Sequence, residues 1–141
     1  MYKYIGTKMI EAEPCPAWKD AGDHKIGDPG YRVRYQDGYE SWSPKDVFEA
    51  AYRRTDNMSF GLAIEAAKIG KKIQRAGWNG KGQYVELAAY IRYVNAVGVV
   101  MNAEHADIGN AALAFVGTSG VQLGWLASQA DMLADDWRIV E

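Results

Sequence analysis

The sequence predicts an α+β fold: a mainly antiparallel sheet with one packed helix, preceded by a small β-hairpin and helix segment. Three observations point there. Only one stretch carries a clean helical period, with Phe60, Ala63, Ile64 and Ala67 at i, i+3, i+4 and i+7. After it come short runs of β-branched and aromatic residues broken by Gly, Asn and Asp, the pattern of strands joined by tight turns. Glycine is also in excess, 15 of 141 residues against an average of roughly 7%, which suits a turn-rich chain and lets backbone approach a ligand closely. No fixed-period repeat is present.

Two segments are expected, residues 1–57 and 58–141. In the first, residues 14–30 hold Pro14, Pro16, Gly22, Gly27, Pro29 and Gly30 and read as a long loop. Tyr31-Arg32-Val33-Arg34-Tyr35 alternates strictly, Asp37-Gly38 supplies a turn, and Tyr39-Glu40-Ser41-Trp42 returns as the second strand of a hairpin. Ser43-Pro44-Lys45-Asp46 reads as a helix start with Ser43 as N-cap, and Val47, Phe48 and Ala51 as the buried stripe. So short a segment buries little core. In the second, Ser59 caps the periodic helix and Gly70 ends it. Strands are expected at residues 71–75, 84–87, 91–94, 97–101, 112–116 and 121–126. One helical turn at 128–134 and a last strand at 137–140 complete the chain.

Composition narrows the function. The 16 basic residues are outnumbered by 18 acidic ones, for a net charge of −2 and a pI near 5.7. A general nucleic-acid binder needs a broad basic face, so no nucleic-acid partner is expected. The single cysteine, Cys15, excludes an intrachain disulfide and a multi-cysteine zinc site. The first residues lack an apolar core of the signal-peptide kind. Residues 108–130 carry no charge, but Gly109, Asn110, Gly117, Thr118, Gly120, Gln122 and Gly124 interrupt them, so no membrane span is expected.

Two stretches can carry chemistry. From Lys68 to Gly82 run five basic residues without an acid, with Gly77, Gly80 and Gly82 beside Trp78-Asn79. Exposed amides in such a turn favour anions, and an indole offers a stacking plane for a base. The same letters also describe a plain Asn79-Gly80 hairpin turn with solvated lysines. Neither a P-loop nor a dinucleotide fingerprint is present, and no cofactor is expected. The second stretch runs from Gly124 to Trp137. Ser128 and Asp131 have the spacing of a helix cap, and Trp137 suits a core. Trp125 and the Asp135-Asp136 pair suit a nucleotide's base, amino group and hydroxyls. Adjacent residues on a strand point to opposite faces, so the two carboxylates are not expected to converge on one atom. His24, His105 and Cys15 have no triad or ligand spacing; Glu104-His105-Ala106-Asp107 is a lone cluster without a second set of metal ligands. No catalytic and no metal-binding residue is assigned.

Met58-Ser59-Phe60-Gly61-Leu62-Ala63-Ile64, Ala76-Gly77-Trp78-Asn79-Gly80-Lys81-Gly82 and Trp125-Leu126-Ala127-Ser128-Gln129-Ala130-Asp131-Met132-Leu133-Ala134-Asp135-Asp136-Trp137 closely resemble the Thoeris anti-defence two family. That resemblance covers residues 58–141. It implies a small phage-encoded protein in the host bacterial cytoplasm that sequesters cyclic ADP-ribose-type signals made by bacterial TIR proteins, or cyclic oligonucleotides. It also implies a homo-oligomer, typically a tetramer, with ligand pockets at subunit interfaces. Carried onto this sequence, it places Trp78, Asn79, Trp125 and Asp135 at or near the pocket. Charge adds Arg75 and Lys81 as phosphate partners, and Asp131 completes the candidate set. Residues 88–120 depart from the family pattern, being longer and richer in Ala and Gly, and leave the ligand's identity open. The leading expectation is a binding protein that does not cleave its ligand. A hydrolase using Asp131 or Asp135, with His105, and a nucleic-acid or protein adaptor using Lys68 to Lys81 are the alternatives.

Overall fold

The computed structural model describes residues 1–78, 82–101 and 111–141. The chain forms two compact units, Met1–Arg53 and Arg54–Glu141.

The first unit is a three-stranded antiparallel sheet, β1 (Glu11–Pro14), β2 (Gly30–Arg34) and β3 (Glu40–Pro44), in the order β1-β2-β3, followed by α1 (Lys45–Ala51). The hairpin forms as its sequence predicts. Gly38 takes the left-handed φ of 88° that the turn demands, and the Asp37 carboxylate accepts from the Tyr39 N–H at 3.0 Å. Strand β1 was not expected; its four residues are all exposed and bury no face, and beside the backbone ladder its Glu11 and Glu13 pair with Arg34 and Arg32 of β2 at 3.5 and 3.7 Å. The loop after it folds back through Cys15 N–H to Gly30 O at 2.8 Å and Trp42 Nε1–H to Cys15 O at 2.7 Å. Gly30 is held to glycine by packing, because a Cβ there would run into the Trp42 ring. Two expectations are corrected. The helix begins one residue later, with Ser43 in β3 and Pro44 at the N-cap without a side-chain cap. The expected stripe is largely in solvent, since Val47 and Ala51 are exposed and only Phe48 is half-buried, stacked on Tyr31 at 4.1 Å.

The second unit is a five-stranded antiparallel sheet: β4 (Lys72–Arg75), β5 (Tyr84–Ala88), β8 (Ala112–Gly117), β9 (Gly120–Leu123) and β10 (Trp137–Val140), in the order β10-β4-β5-β8-β9. A hairpin of β6 (Tyr93–Val94) and β7 (Val100–Met101) forms separately. Helix α2 (Phe60–Lys68) packs on β4, β5 and β10. Ser59 caps it by accepting from Leu62 N–H at 3.3 Å, and Gly70, at φ 92°, turns the chain out of it. Its buried face is Ala63, Ala66 and Ala67, small enough to bring the helix close to the sheet, where it meets Met58, Ile73, Val85 and Trp137. A short α3 (Gln129–Leu133) lies before β10. Met58 and Trp137 exchange backbone hydrogen bonds of 2.7 and 3.1 Å, tying the segment that enters α2 to β10.

The architecture is thus α+β with antiparallel sheets. Three strands shrink notably from their expected spans. The one expected at 91–94 is reduced to Tyr93–Val94. Residues 97–99 leave β7 because Asn95 builds a turn, its side chain accepting from Val97 and Val99 N–H. Strand β9 stops at Leu123 because Gly124 takes a φ of 81°, which throws Trp125 out of the sheet. Among the described residues no helix is long and apolar enough to cross a membrane.

Candidate functional site

Three tryptophans meet beside the end of the sheet. Trp137, the first residue of β10, is fully buried, and its indole N–H donates to Asp131 O at 2.9 Å. Trp78 and Trp125 pack edge-on against it, with ring centroids at 5.4 and 6.1 Å and interplanar angles of 78° and 72°. They also meet each other at 6.0 Å. Phe115 supports Trp78 at 5.6 Å and Phe60 supports Trp137 at 5.3 Å. Edge-to-face contact is the favoured geometry for such rings, so the cluster is self-supporting. Trp78 and Trp125 remain half-buried, keeping indole surface toward solvent. The Trp125 indole N–H donates to nothing among the described residues, while its backbone N–H and that of Gly124 both donate to Leu113 O at 2.9 Å.

A charged network runs beside this cluster. Arg75, at the end of β4, donates from Nε to Asp136 Oδ1 at 2.9 Å and from Nη1 to Asp131 Oδ1 at 3.1 Å. The second Asp136 oxygen accepts from Gly77 N–H at 3.2 Å, and its main-chain carbonyl accepts from Ala76 N–H at 3.0 Å. Asp131 completes a capping box: its carboxylate accepts from Ser128 N–H, and Ser128 Oγ accepts from Asp131 N–H, both at 3.0 Å. Burial pushes both carboxyls up, but their donors win. Ser128, Arg75 and Trp78 hold Asp131 below the usual carboxylate range; Arg75 and the Gly77 N–H do the same for Asp136. Hydrogen bonds to Asp136 and then Asp131 push Arg75 up. All three groups are therefore charged at neutral pH. A carboxylate that stays ionised and is committed to donors in this way makes a poor general acid.

A profile of the Thoeris anti-defense 2-like domain matches residues 58–140. The chain belongs to the Tad2-like family. It is also similar to a curated relative, the Thoeris anti-defense 2 protein of Bacillus phage SP01, at 36% identity over 87 residues, covering 59% of this chain and 94% of that protein. The matched domain falls within the second unit, and the first unit lies outside the match.

Within the Tad2-like domain, four of the expected site residues come together: Arg75, Trp78, Trp125 and Asp131. Asp135 is exposed and makes no hydrogen bond or ion pair among the described residues. Its neighbour Asp136 is the one that joins the network; the sequence marked it only as half of the Asp135-Asp136 pair, and the candidate set kept Asp135 instead. Asn79 and Lys81 lie outside the described residues, as do Glu104, His105 and Asp107. Among the described residues no group of three His, Cys, Asp or Glu is placed to hold a metal. The basic stretch is also largely partnered: Lys68 pairs with Glu65 at 3.3 Å, Lys72 sits 4.7 Å over the Tyr84 ring, and Arg75 has its two carboxylates. A shallow concavity of about 440 Å³, lined by Lys8, Met9, Tyr35, Gln36, Asp37 and Tyr39, belongs to the first unit and contains none of these residues.

Proposed function

We propose that this protein is an anti-defence factor that binds a cyclic nucleotide immune signal, a cyclic ADP-ribose isomer or a cyclic oligonucleotide, and holds it without cleaving it. The observation that carries this reading is the half-buried Trp78–Trp125 pair, set on a rigid sheet within the matched domain. Two indoles with free surface offer stacking planes for a base, each worth about 1–3 kcal/mol in comparable sites. The Trp125 indole N–H, which has no acceptor among the described residues, adds a donor. Stacking and polar contacts of this kind stabilise a bound ground state and do not by themselves accelerate a reaction. The two structured carboxylates are committed as charged partners of Arg75, which speaks against the hydrolase alternative. We further propose that the binding unit is a homo-oligomer, a tetramer, in which a second copy covers the open side of the tryptophan pair.

The experiment is a stoichiometric mixture followed by chromatography. Free cyclic ADP-ribose isomer or cyclic oligonucleotide falls only to a fixed ratio per subunit, and heat unfolding returns the intact molecule. A linear or hydrolysed product growing past that ratio overturns the reading. Chelator leaves the binding unchanged.

A further inference from the structure

We propose that Asp136 is a positioning residue: through Arg75 and the Gly77 N–H it sets the separation and angle of Trp78 and Trp125. The inference rests on the binding role given above to those two rings, and concerns what holds them apart in the free protein.

Asp136 uses all three of its acceptors on three successive residues. Its Oδ1 takes Arg75 Nε–H, its main-chain carbonyl takes Ala76 N–H and its Oδ2 takes Gly77 N–H. Those residues are the turn that delivers Trp78, which is itself bonded back to Arg75 O at 3.3 Å. Arg75 then reaches across the domain to Asp131, and Asp131 is locked to Ser128 by the capping box. Ser128 lies three residues beyond Trp125, whose backbone is anchored on Leu113. One continuous polar relay therefore runs from the Trp78 turn to the Trp125 segment. The fold around it has other supports, since Trp137, Ile73, Val85 and the α2 alanines form a hydrophobic core of their own, joined to the relay by the Trp137 indole N–H on Asp131 O. The relay is partly sheltered from solvent: the Arg75, Asp131 and Asp136 side chains are 23%, 14% and 35% exposed. Two flat binding faces gain affinity when their geometry is set beforehand, because the ligand then bears no ordering cost.

The test compares Asp136→Asn and Arg75→Lys with the wild type in two readouts. Tryptophans at these distances couple, and Trp137 couples to both rings. The Trp78–Trp125 arrangement without any ligand is therefore read in circular dichroism as the part of the exciton signal lost in Trp78→Phe and also lost in Trp125→Phe, with Trp78→Phe giving the baseline. Calorimetry with a cyclic ADP-ribose isomer and with a cyclic oligonucleotide reports binding. Asn at 136 keeps the shape but turns an NH2 group toward one of the two donors, Arg75 Nε–H or Gly77 N–H, that the carboxylate accepts from, and Lys at 75 is expected to reach only one carboxylate. Both variants are expected to stay folded, lose the couplet toward the Trp78→Phe baseline and bind about tenfold more weakly. Unchanged couplets in folded variants overturn the proposal, as does unfolding of both, which would make the relay a support of the fold itself. If one variant unfolds, the other's couplet decides. If the wild type binds neither ligand, the functional reading fails while the couplets still judge the positioning role.

Discussion

Replacing Trp125 by alanine separates binding from stability in one molecule. Truncating a fully buried tryptophan costs ~3–5 kcal/mol, and this ring is only half-buried, so about 2 kcal/mol of stability is expected to go. The aromatic contacts are one part of that loss. The ring makes two edge-on contacts, to Trp78 at 6.0 Å and Trp137 at 6.1 Å, each worth ~0.5–1.5 kcal/mol. No side-chain hydrogen bond within the described residues is lost, and the backbone anchor to Leu113 O does not depend on the side chain. The variant therefore folds, out of a typical stability of ~5–15 kcal/mol. Ligand affinity falls by a further ~1–3 kcal/mol, the worth of one stacked base, or roughly 5- to 150-fold at 1.4 kcal/mol per decade. Urea titration followed by tyrosine absorbance gives the first number and calorimetry the second. A folded variant with wild-type affinity for every cyclic nucleotide tried would remove Trp125 from the site and leave the ring as packing alone.

Other outcomes follow from the same geometry. Gly30→Ala drives a methyl into the Trp42 ring and is expected to cost ~1–3 kcal/mol, seen as faster amide exchange along β2; wild-type exchange would refute that packing. Asp131 and Asp136 titrate below the usual carboxylate range in the folded protein, so their contribution is complete above the unfolded value of about 4 and is lost as pH falls through the folded values. Urea midpoints taken down the acid limb should therefore fall, and fall less steeply in Asp136→Asn than in the wild type. In light scattering, the proposed assembly gives a mass several times the 15.6 kDa of one chain; a mass of one chain at micromolar concentration would count against a pocket completed by a second copy.

Much of the domain's order was legible because its signals are local. Ser59 and Gly70 bracket a helix whose apolar period needs no partner to be read, and the structure places its ends there. The Asp37-Gly38 hairpin and the strands around Ile73, Val85 and Ala114 follow from turn chemistry and β-branched runs that act within a few residues. The Ser128–Asp131 capping box is likewise a spacing rule, and it holds. The exposed strand β1 had no such signature: its four surface residues bury no face, and the ladder and ion pairs to the neighbouring β2 make them a strand.

The site divides along the same line. Sequence alone marked Trp78, Trp125, Arg75 and Asp131 as residue types able to stack and to pair charge, and it supplied the family resemblance that the comparison bore out. It could not say which of two adjacent carboxylates turns inward. That choice depends on where the chain enters β10, and there Asp136 faces Arg75 and Gly77 while Asp135 faces water. Nor could it tell that the Arg75 charge is already met, because its partners lie 56 and 61 residues away. Residue chemistry and short-range periods are written in the chain; the pairing of groups far apart in sequence, and hence the charge and rigidity of the site, exists only once the sheet has brought its strands together.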